Sequence, residues 1–406
     1  MKYVNIIPDG AADEPIPALG NKTILEAANI PCLNKLAGQG QIGVAHNVPS
    51  NLPAGSDVAN LSVLGFNPSL YYTGRAPLEA AALGLKLGPN DWVVRCNMTT
   101  IIDQYMRSFS AGQISSEEQH ELLMALQDAV IGDYPPGAME FISGVGYRGL
   151  LILREVPGFT VPLSQNTRTF APHDYTDQRV WHVGPQGAGG ELLLELMDKS
   201  IDVFANHPVN KKRIEQGKVP ATNVWLWGQG QMPVIPSFKE TYGKTGAMIT
   251  AVDLLRGIAN SIGFDNIIVP GATGFIDTNF SGKAAAALEA LKTHDVVCVH
   301  LEATDESGHE GSVEHKIHAM EDIDAKVVAP IWDALSNSGE PFRMFVTPDH
   351  PTPIRTKTHS YDVVPWLIVG TGVPACGAAS YNEKTALATG QYREEGWKLV
   401  GELLNS

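Results

Sequence analysis

The stretch DVVCVHLEATDESGHEG, running from Asp295 to Gly311, decides the fold. Its first part, DVVCV, is a short apolar run rich in valine, the pattern of a strand buried on both faces of a parallel sheet. Directly after it come Asp305 and His309, four residues apart. Open α/β sheets bind ligands beyond the carboxyl ends of their strands, so an acid and an imidazole at this point mark a candidate site. D-x-x-x-H alone is a weak signal, because surface loops supply it often. Three further stretches strengthen it: IIPDG (6–10), PAGSD (53–57) and TPDHPTPIRTKTHS (347–360).

Working outward, strand and helix patterns alternate. YVNII (3–7), QIGVA (41–45), NVWLWG (223–228), NIIVP (266–270), FRMFV (342–346) and WLIVG (366–370) read as strands. AMITAVDLLRGIANSIG (247–263), GKAAAALEALKT (282–293) and residues 313–335 read as helices. In the last of these, Val313, Ile317, Met320, Ile323, Val327 and Ile331 form one stripe. Such alternation predicts an α/β fold with a mostly parallel sheet and helices on both faces. In PAGSD, Asp57 is expected to cap a short helix carrying Val58, Leu61 and Leu64.

The texture changes between about 76 and 184. WVVRCNMTTI (92–101) and YMRSFSAG (105–112) are short alternating stretches. SSEEQHELLMALQDAV (115–130) is an amphipathic helix with a capping-box start, and MEFISGVGYRGLLILREV (139–156) is two strands about a glycine turn. The expected organisation is a core of residues 1–75 and 185–406 with an inserted α+β domain at 76–184.

Bulk properties bound the function. A chain of 406 residues predicts two domains, and a net charge of −15 argues against nucleic acid or an anionic membrane as partner. The four cysteines, Cys32, Cys96, Cys298 and Cys376, are dispersed with no C-x-x-C pair, so free thiols are expected. MKYVNIIPDG is broken by Pro8 too early for a signal peptide, and no apolar run reaches membrane-span length; the expected location is the cytoplasm. Nothing in the sequence specifies an oligomeric state. Two motifs are decoys. GVGYRG (144–149) precedes a strand instead of opening a helix, and GKT (243–245) would need a glycine where Phe238 stands, so no nucleotide site is expected. His315 and His318 read as an ordinary helix face.

The acids, imidazoles and hydroxyls just past predicted strands are Asp9, Ser56, Asp305, His309, Asp349, His350 and His359. Parallel strands share one carboxyl edge, so these scattered groups can converge. Two divalent cations need about six or seven ligands, and a carboxylate–imidazole set suits Mn²⁺ or Zn²⁺. A metal pair holds the attacking and leaving oxygens of a phosphoryl transfer. A serine between them is an activated nucleophile.

Over essentially its whole length the chain resembles the cofactor-independent phosphoglycerate mutases of the archaeal-type branch, in the alkaline phosphatase superfamily. The carriers are IIPDGAAD, PSNLPAGSDVANLSVLG, YYTGRAPLEAAALG, ATDESGHEG, VTPDHPTP and KTHSYDVVPWLI. The resemblance implies that Asp305, His309 and His359 hold one metal, while Asp9, Ser56, Asp349 and His350 hold the other. Mn²⁺ is the leading candidate, with Zn²⁺ or Co²⁺ as alternatives. It also implies that Ser56 becomes phosphorylated, and that 3- and 2-phosphoglycerate interconvert without bisphosphoglycerate, as glycolysis and gluconeogenesis require. The inserted domain would then be a lid that excludes water. Its candidates are Arg75, Arg95 and Arg148 for the substrate's anionic groups and His173–Asp174 as the acid–base pair, Asp174 being the base; Lys244 and Lys357 are further phosphate candidates. Other phosphoryl-transfer activities on the same chassis, such as a homoserine kinase-like relative or a phosphomonoesterase, and a non-catalytic metal-stabilised binding protein are the competing readings.

Overall fold

The protein, a computed structural model, is described over residues 1–405. It divides into two compact units, Met1–Tyr72 with Val234–Ser406, and Thr73–Pro233.

The first unit is built on an eight-stranded sheet. Its strands are β1 (Lys2–Pro8), β2 (Gln41–Ala45), β8 (Gly246–Ile249), β9 (Asp265–Ile267), β10 (Val296–Leu301), β11 (Phe342–Val346), β12 (Val364–Gly370) and β13 (Tyr392–Arg393). The order is β13-β2-β12-β11-β1-β10-β8-β9. β1 lies between β10 and β11 and runs parallel to both, with Pro8 opposite Leu301 and Ile6 opposite Val346. All of β10 is buried, as its unbroken apolar run requires. β12 is antiparallel to both β11 and β2. Two reversals restore direction, so β2 points the same way as β1, β10 and β11. Because β12 starts where β11 ends, the segment joining them stays on the same carboxyl edge. The core is formed by the sheet with flanking helices such as Phe280–Ala290 and Val313–Ile323.

The second unit is a five-stranded antiparallel sheet of β3 (Trp92–Ile102), β4 (Tyr105–Ser108), β5 (Met139–Ser143), β6 (Arg148–Leu153) and β7 (Asn223–Gln231). One face packs on the helices Ser116–Val130 and Gly190–Ala205. On the other face Val93, Leu150 and Ile152 meet Ala76 and Ala80 of the helix Arg75–Ala82.

Three expectations need correction. The second junction falls at 233/234, not 184/185, because β7 pairs antiparallel with β3 from Trp92 to Thr99 and Leu193, Leu196, Met197 and Phe204 fill the same core. NVWLWG is therefore a strand of the inserted unit and not of the parallel sheet. AMITAVDLLRGIANSIG is not one helix: its first residues form β8, paired with β10, and the helix is Asp253–Ser261. A short apolar run flanked by helical spacing is ambiguous locally, and the neighbouring strand decides.

The predicted helix at 313–335 exists but carries a π-helical turn at Asp324–Val328 before continuing as Ala329–Ser338. Pro330 has no N–H and crowds the carbonyl four residues back, which accounts for the widened turn. Among the described residues no helix is long and apolar enough to cross a membrane, and all four cysteines are unpaired.

Candidate active site

The loops after β1, β10 and β11 leave three adjacent parallel strands at one edge, and each delivers an acid there. Asp9 follows β1 by one residue. The helix Ala303–Glu310 starts almost at the end of β10, and its pitch puts Asp305 and His309 on one face. Asp349 and His350 follow β11, and His359 lies on the way to β12. Asp9, Asp305, Asp349 and His350 are buried, while His309, His359 and Ser56 are half-buried. The helix at PAGSD spans Ser56–Val63, so Gly55 is its cap and Asp57 sits in its first turn. This places Ser56 at the first helical position, so the helix starts two residues earlier than expected.

The side chains form two adjoining clusters. In one, His309 Nε2 lies 3.2 Å from Asp305 Oδ2, His359 Nε2 lies 3.5 Å from Asp305 Oδ1, and the two Nε2 atoms are 3.0 Å apart. In the other, His350 Nε2 lies 3.1 Å from Ser56 Oγ, 3.4 Å from Asp349 Oδ2 and 3.6 Å from Asp9 Oδ1. The His350 and His359 rings are 4.0 Å apart between centroids, so the clusters touch. Ligand atoms of Asp305, His309 and His359 lie within 4.8 Å of one another, as do those of Asp9, Asp305 and His350. Asp305 is thus common to both groups. The oxygens of Asp349 accept hydrogen bonds from Gly10 N–H, His350 N–H and Asn60 Nδ2.

Outer contacts orient these groups. His309 Nδ1 faces the Lys357 carbonyl at 2.9 Å and His359 Nδ1 faces the Ala54 carbonyl at 3.1 Å. A carbonyl only accepts, so both Nδ1 atoms carry hydrogen. His300 Nε2 lies 2.8 Å from Asp9 Oδ2, and its Nδ1 is 3.2 Å from Thr250 Oγ1. Asn60 Nδ2 donates to Asp349 Oδ2 at 2.7 Å and to the Ser56 carbonyl at 2.9 Å. Gly10 has φ +63°, and a Cβ there would sit 2.6 Å from Asp305 Oδ1 and from Thr352 Oγ1. The glycine of IIPDG is therefore required both by the turn and by this close approach.

The charge balance fits divalent cations. Burial, followed by the charges of Asp349, Asp305 and Glu302, pushes Asp9 well above the carboxylate range. Burial and then Asp305 push Glu302 up to about 8. Burial also opposes charge on Asp305, yet hydrogen bonds from His309 and His359 hold it well below its usual value. For His309 burial works downward, but the hydrogen bond to Asp305 and the Asp305 charge prevail and raise it to about 9. Burial drives His350 down to about 4. Asp9 Oδ1 is buried without a hydrogen-bond partner. Crowded carboxylates, convergent imidazole nitrogens and an orphaned carboxylate oxygen are the donor set a hard-to-borderline divalent cation takes.

The second unit gathers its own candidates around Trp227. Arg95 is buried, with its guanidinium 4.3 Å from the Trp227 ring. Glu79 joins two of the arginines: Oε2 is 2.9 Å from Arg95 Nε and Oε1 is 3.3 Å from Arg75 Nε. Arg148 is paired in register with Asn97, whose Oδ1 accepts from Trp227 Nε1. The His173 ring is 5.4 Å from the Trp227 ring, and His173 Nε2 is 3.6 Å from Asp174 Oδ1. Lys244 does not join any of these groups. It precedes β8, beside Thr245 and Asp295 at the amino edge of the sheet, opposite the edge that carries the clusters. Lys357 is exposed with φ +56°, and its carbonyl is its contact with the site.

Sequence reasoning missed His300, Asn60 and Thr352. His300 left one trace, an imidazole ending an otherwise apolar strand. Asn60 and Thr352 left none, because the carboxylates they bond, Asp349 and Asp305, are distant in sequence.

Fold and site define a class: an α/β protein with two touching carboxylate–imidazole clusters beside a helix-start serine. Within that class, the family profile described as 2,3-bisphosphoglycerate-independent phosphoglycerate mutase matches residues 37–210. A protein of that name from Methanosarcina barkeri is 48% identical over 95% of each chain, and one from Methanosarcina mazei is 44% identical over 100% of each. Among solved structures, a Pyrococcus horikoshii protein superposes with a TM-score of 0.80 at 29% identity, over 100% of this chain and 97% of that one. The cofactor-independent phosphoglycerate mutase of Thermoplasma acidophilum gives 0.65 at 27% identity, over 100% and 99%. The chain belongs to the 2,3-bisphosphoglycerate-independent phosphoglycerate mutase family.

Proposed function

We propose that this chain interconverts 3- and 2-phosphoglycerate through a phosphoserine at Ser56. In this reading two divalent cations, Mn²⁺ foremost, are held by Asp305, His309 and His359 and by Asp9, Ser56, Asp349 and His350. The observation that carries the proposal is the position of Ser56 Oγ, 3.1 Å from His350 Nε2, the imidazole that also approaches Asp9 and Asp349. Cations bound there would offset the carboxylates, stabilise the charge on the phosphoryl oxygens and favour the serine alkoxide.

The chain's own groups do the rest. Ser56 Oγ attacks phosphorus, and the glycerate oxygen leaves and takes up a proton. The neighbouring glycerate hydroxyl then gives its proton to a base and attacks the phosphoserine, which frees Ser56. Asp174 with His173 is proposed for these proton transfers, and Arg75, Arg95 and Arg148 for the substrate's anionic groups. Phosphate never leaves as a free ion, which separates a mutase from a phosphatase.

The test is conversion of 3-phosphoglycerate followed by ³¹P NMR, on metal-stripped protein with Mn²⁺, Co²⁺ or Zn²⁺ restored in turn. Activity should return with at least one metal, without free phosphate, and Ser56→Ala should remain at background. No gain with any metal, or an active Ser56→Ala variant, would remove the proposal.

A further inference from the structure

We propose that Thr352 is a positioning residue whose single hydroxyl sets the tautomer of His350 and links the two clusters. The proposal rests on the metal-site reading above, and its first test does not depend on catalysis.

Thr352 is fully buried. Its Oγ1 has two partners, Asp305 Oδ1 in one cluster and His350 Nδ1, at 3.3 Å, in the other. A hydroxyl carries one hydrogen and two lone pairs. Asp305 is a carboxylate between two imidazoles, so that oxygen accepts and the Thr352 hydrogen points to it. A lone pair of Oγ1 is then left facing His350, and Nδ1 must carry hydrogen. A neutral imidazole has only one N–H, so Nε2 keeps its lone pair. Nε2 is the atom that lies 3.1 Å from Ser56 Oγ and close to Asp9 and Asp349.

At His309 and His359 backbone carbonyls, which only accept, fix a hydrogen on Nδ1. At His350 the partner is a hydroxyl that could either donate or accept. Asp305 resolves the choice, so a ligand shared by both groups also orients the imidazole of the second.

The surroundings are shaped to hold this one side chain. A Cβ at Gly10 would lie 2.6 Å from Thr352 Oγ1, and a Cβ at Gly308 would lie 2.5 Å from the Thr352 carbonyl and 2.8 Å from its methyl. Lys316 Nζ donates to the Thr352 carbonyl at 2.8 Å, and Thr352 N–H donates to the Gly10 carbonyl at 3.3 Å. The backbone is thus pinned on two sides, with Gly10 against the threonine hydroxyl and Gly308 against its methyl.

The experiment uses the full-length, metal-stripped protein labelled with ¹⁵N-histidine, with His350 assigned by comparison with His350→Gln. Long-range ¹H–¹⁵N correlation reads the tautomer, and calorimetry with Mn²⁺ reads affinity. The wild type should show His350 protonated at Nδ1. Thr352→Val, nearly isosteric, should lose that preference and bind Mn²⁺ about 10–100-fold more weakly, the usual effect of removing an outer partner of a metal ligand. Thr352→Ser should retain the wild-type tautomer and most of the affinity. An Nε2–H tautomer in the wild type overturns the proposal without any variant. So does a Thr352→Val protein with unchanged spectrum and affinity, or a serine variant as impaired as the valine one.

Discussion

Lys316→Met tests how the loops of the candidate site are fastened together. Lys316 lies in the helix after the one carrying Asp305 and His309, and its side chain is wholly buried. Its ammonium donates to Asp13 Oδ2 at 2.8 Å, to the Thr352 carbonyl at 2.8 Å and to the Ala12 carbonyl at 3.4 Å. Asp13 belongs to the loop that carries Asp9, and Thr352 to the loop that carries His350. One cation therefore joins the segments after β1 and β11 from an element that follows β10.

Methionine keeps the apolar stem and removes the donors. Asp13 is left buried and charged, with backbone N–H groups of Glu14 and Ile354 as its remaining partners. Breaking a buried pair from one side costs about 3–5 kcal/mol, a large part of the roughly 5–15 kcal/mol by which domains are stable. Adding Asp13→Asn removes the stranded charge and should recover about 2 kcal/mol. Urea unfolding gives the total loss, and hydrogen exchange of peptides covering residues 8–13 and 347–354 shows whether those loops open first. A loss under about 1 kcal/mol, or a double variant less stable than Lys316→Met, would refute the reasoning.

Glu383 is partly buried, accepting from Thr23 Oγ1 at 2.6 Å and from Asp13 N–H at 3.1 Å, and the loss of water around its carboxylate pushes it up to about 7 from an ordinary 4.5. The folded protein thus holds this proton more tightly than the unfolded chain. The associated stability is complete below about 4.5 and is lost as pH rises through about 7, up to roughly 3 kcal/mol. Denaturation at pH 5 and pH 8 should show a steeper decline in wild type than in Glu383→Gln; equal slopes would contradict it. At the clusters, His309 keeps its proton up to about 9, so a cation must displace it. Mn²⁺ affinity of stripped protein should weaken as pH falls below about 9, by up to about tenfold per pH unit for each proton displaced. Affinity independent of pH from 6 to 9, measured calorimetrically, would exclude that competition.

The convergence of the cluster side chains was more legible than the domain boundary. Asp9, Ser56, Asp305, His309, Asp349, His350 and His359 each follow a recognisable strand, and a parallel sheet sends its carboxyl ends to one edge. The junction at 233/234 was not legible. NVWLWG has the same apolar strand character whether its partner is a parallel or an antiparallel neighbour, and only its pairing with β3 assigns it. Lys244 shows a related ambiguity: a lysine beside a strand looks alike at either end, and only the structure puts it at the edge away from the two clusters.

Local periodicity and the placement of polar residues after apolar runs were enough to fix an α/β core, an inserted α+β unit and the residue types gathered at its edge. Those features depend on near neighbours in the chain, which a sequence states directly. Tertiary structure alone decided that Asp305 serves both clusters, that His300 holds Asp9, that Thr352 lies between Asp305 and His350, and that Lys316 joins two loops. Each depends on at least one contact across a large sequence separation, whose geometry comes from strand order and register, which local pattern leaves free.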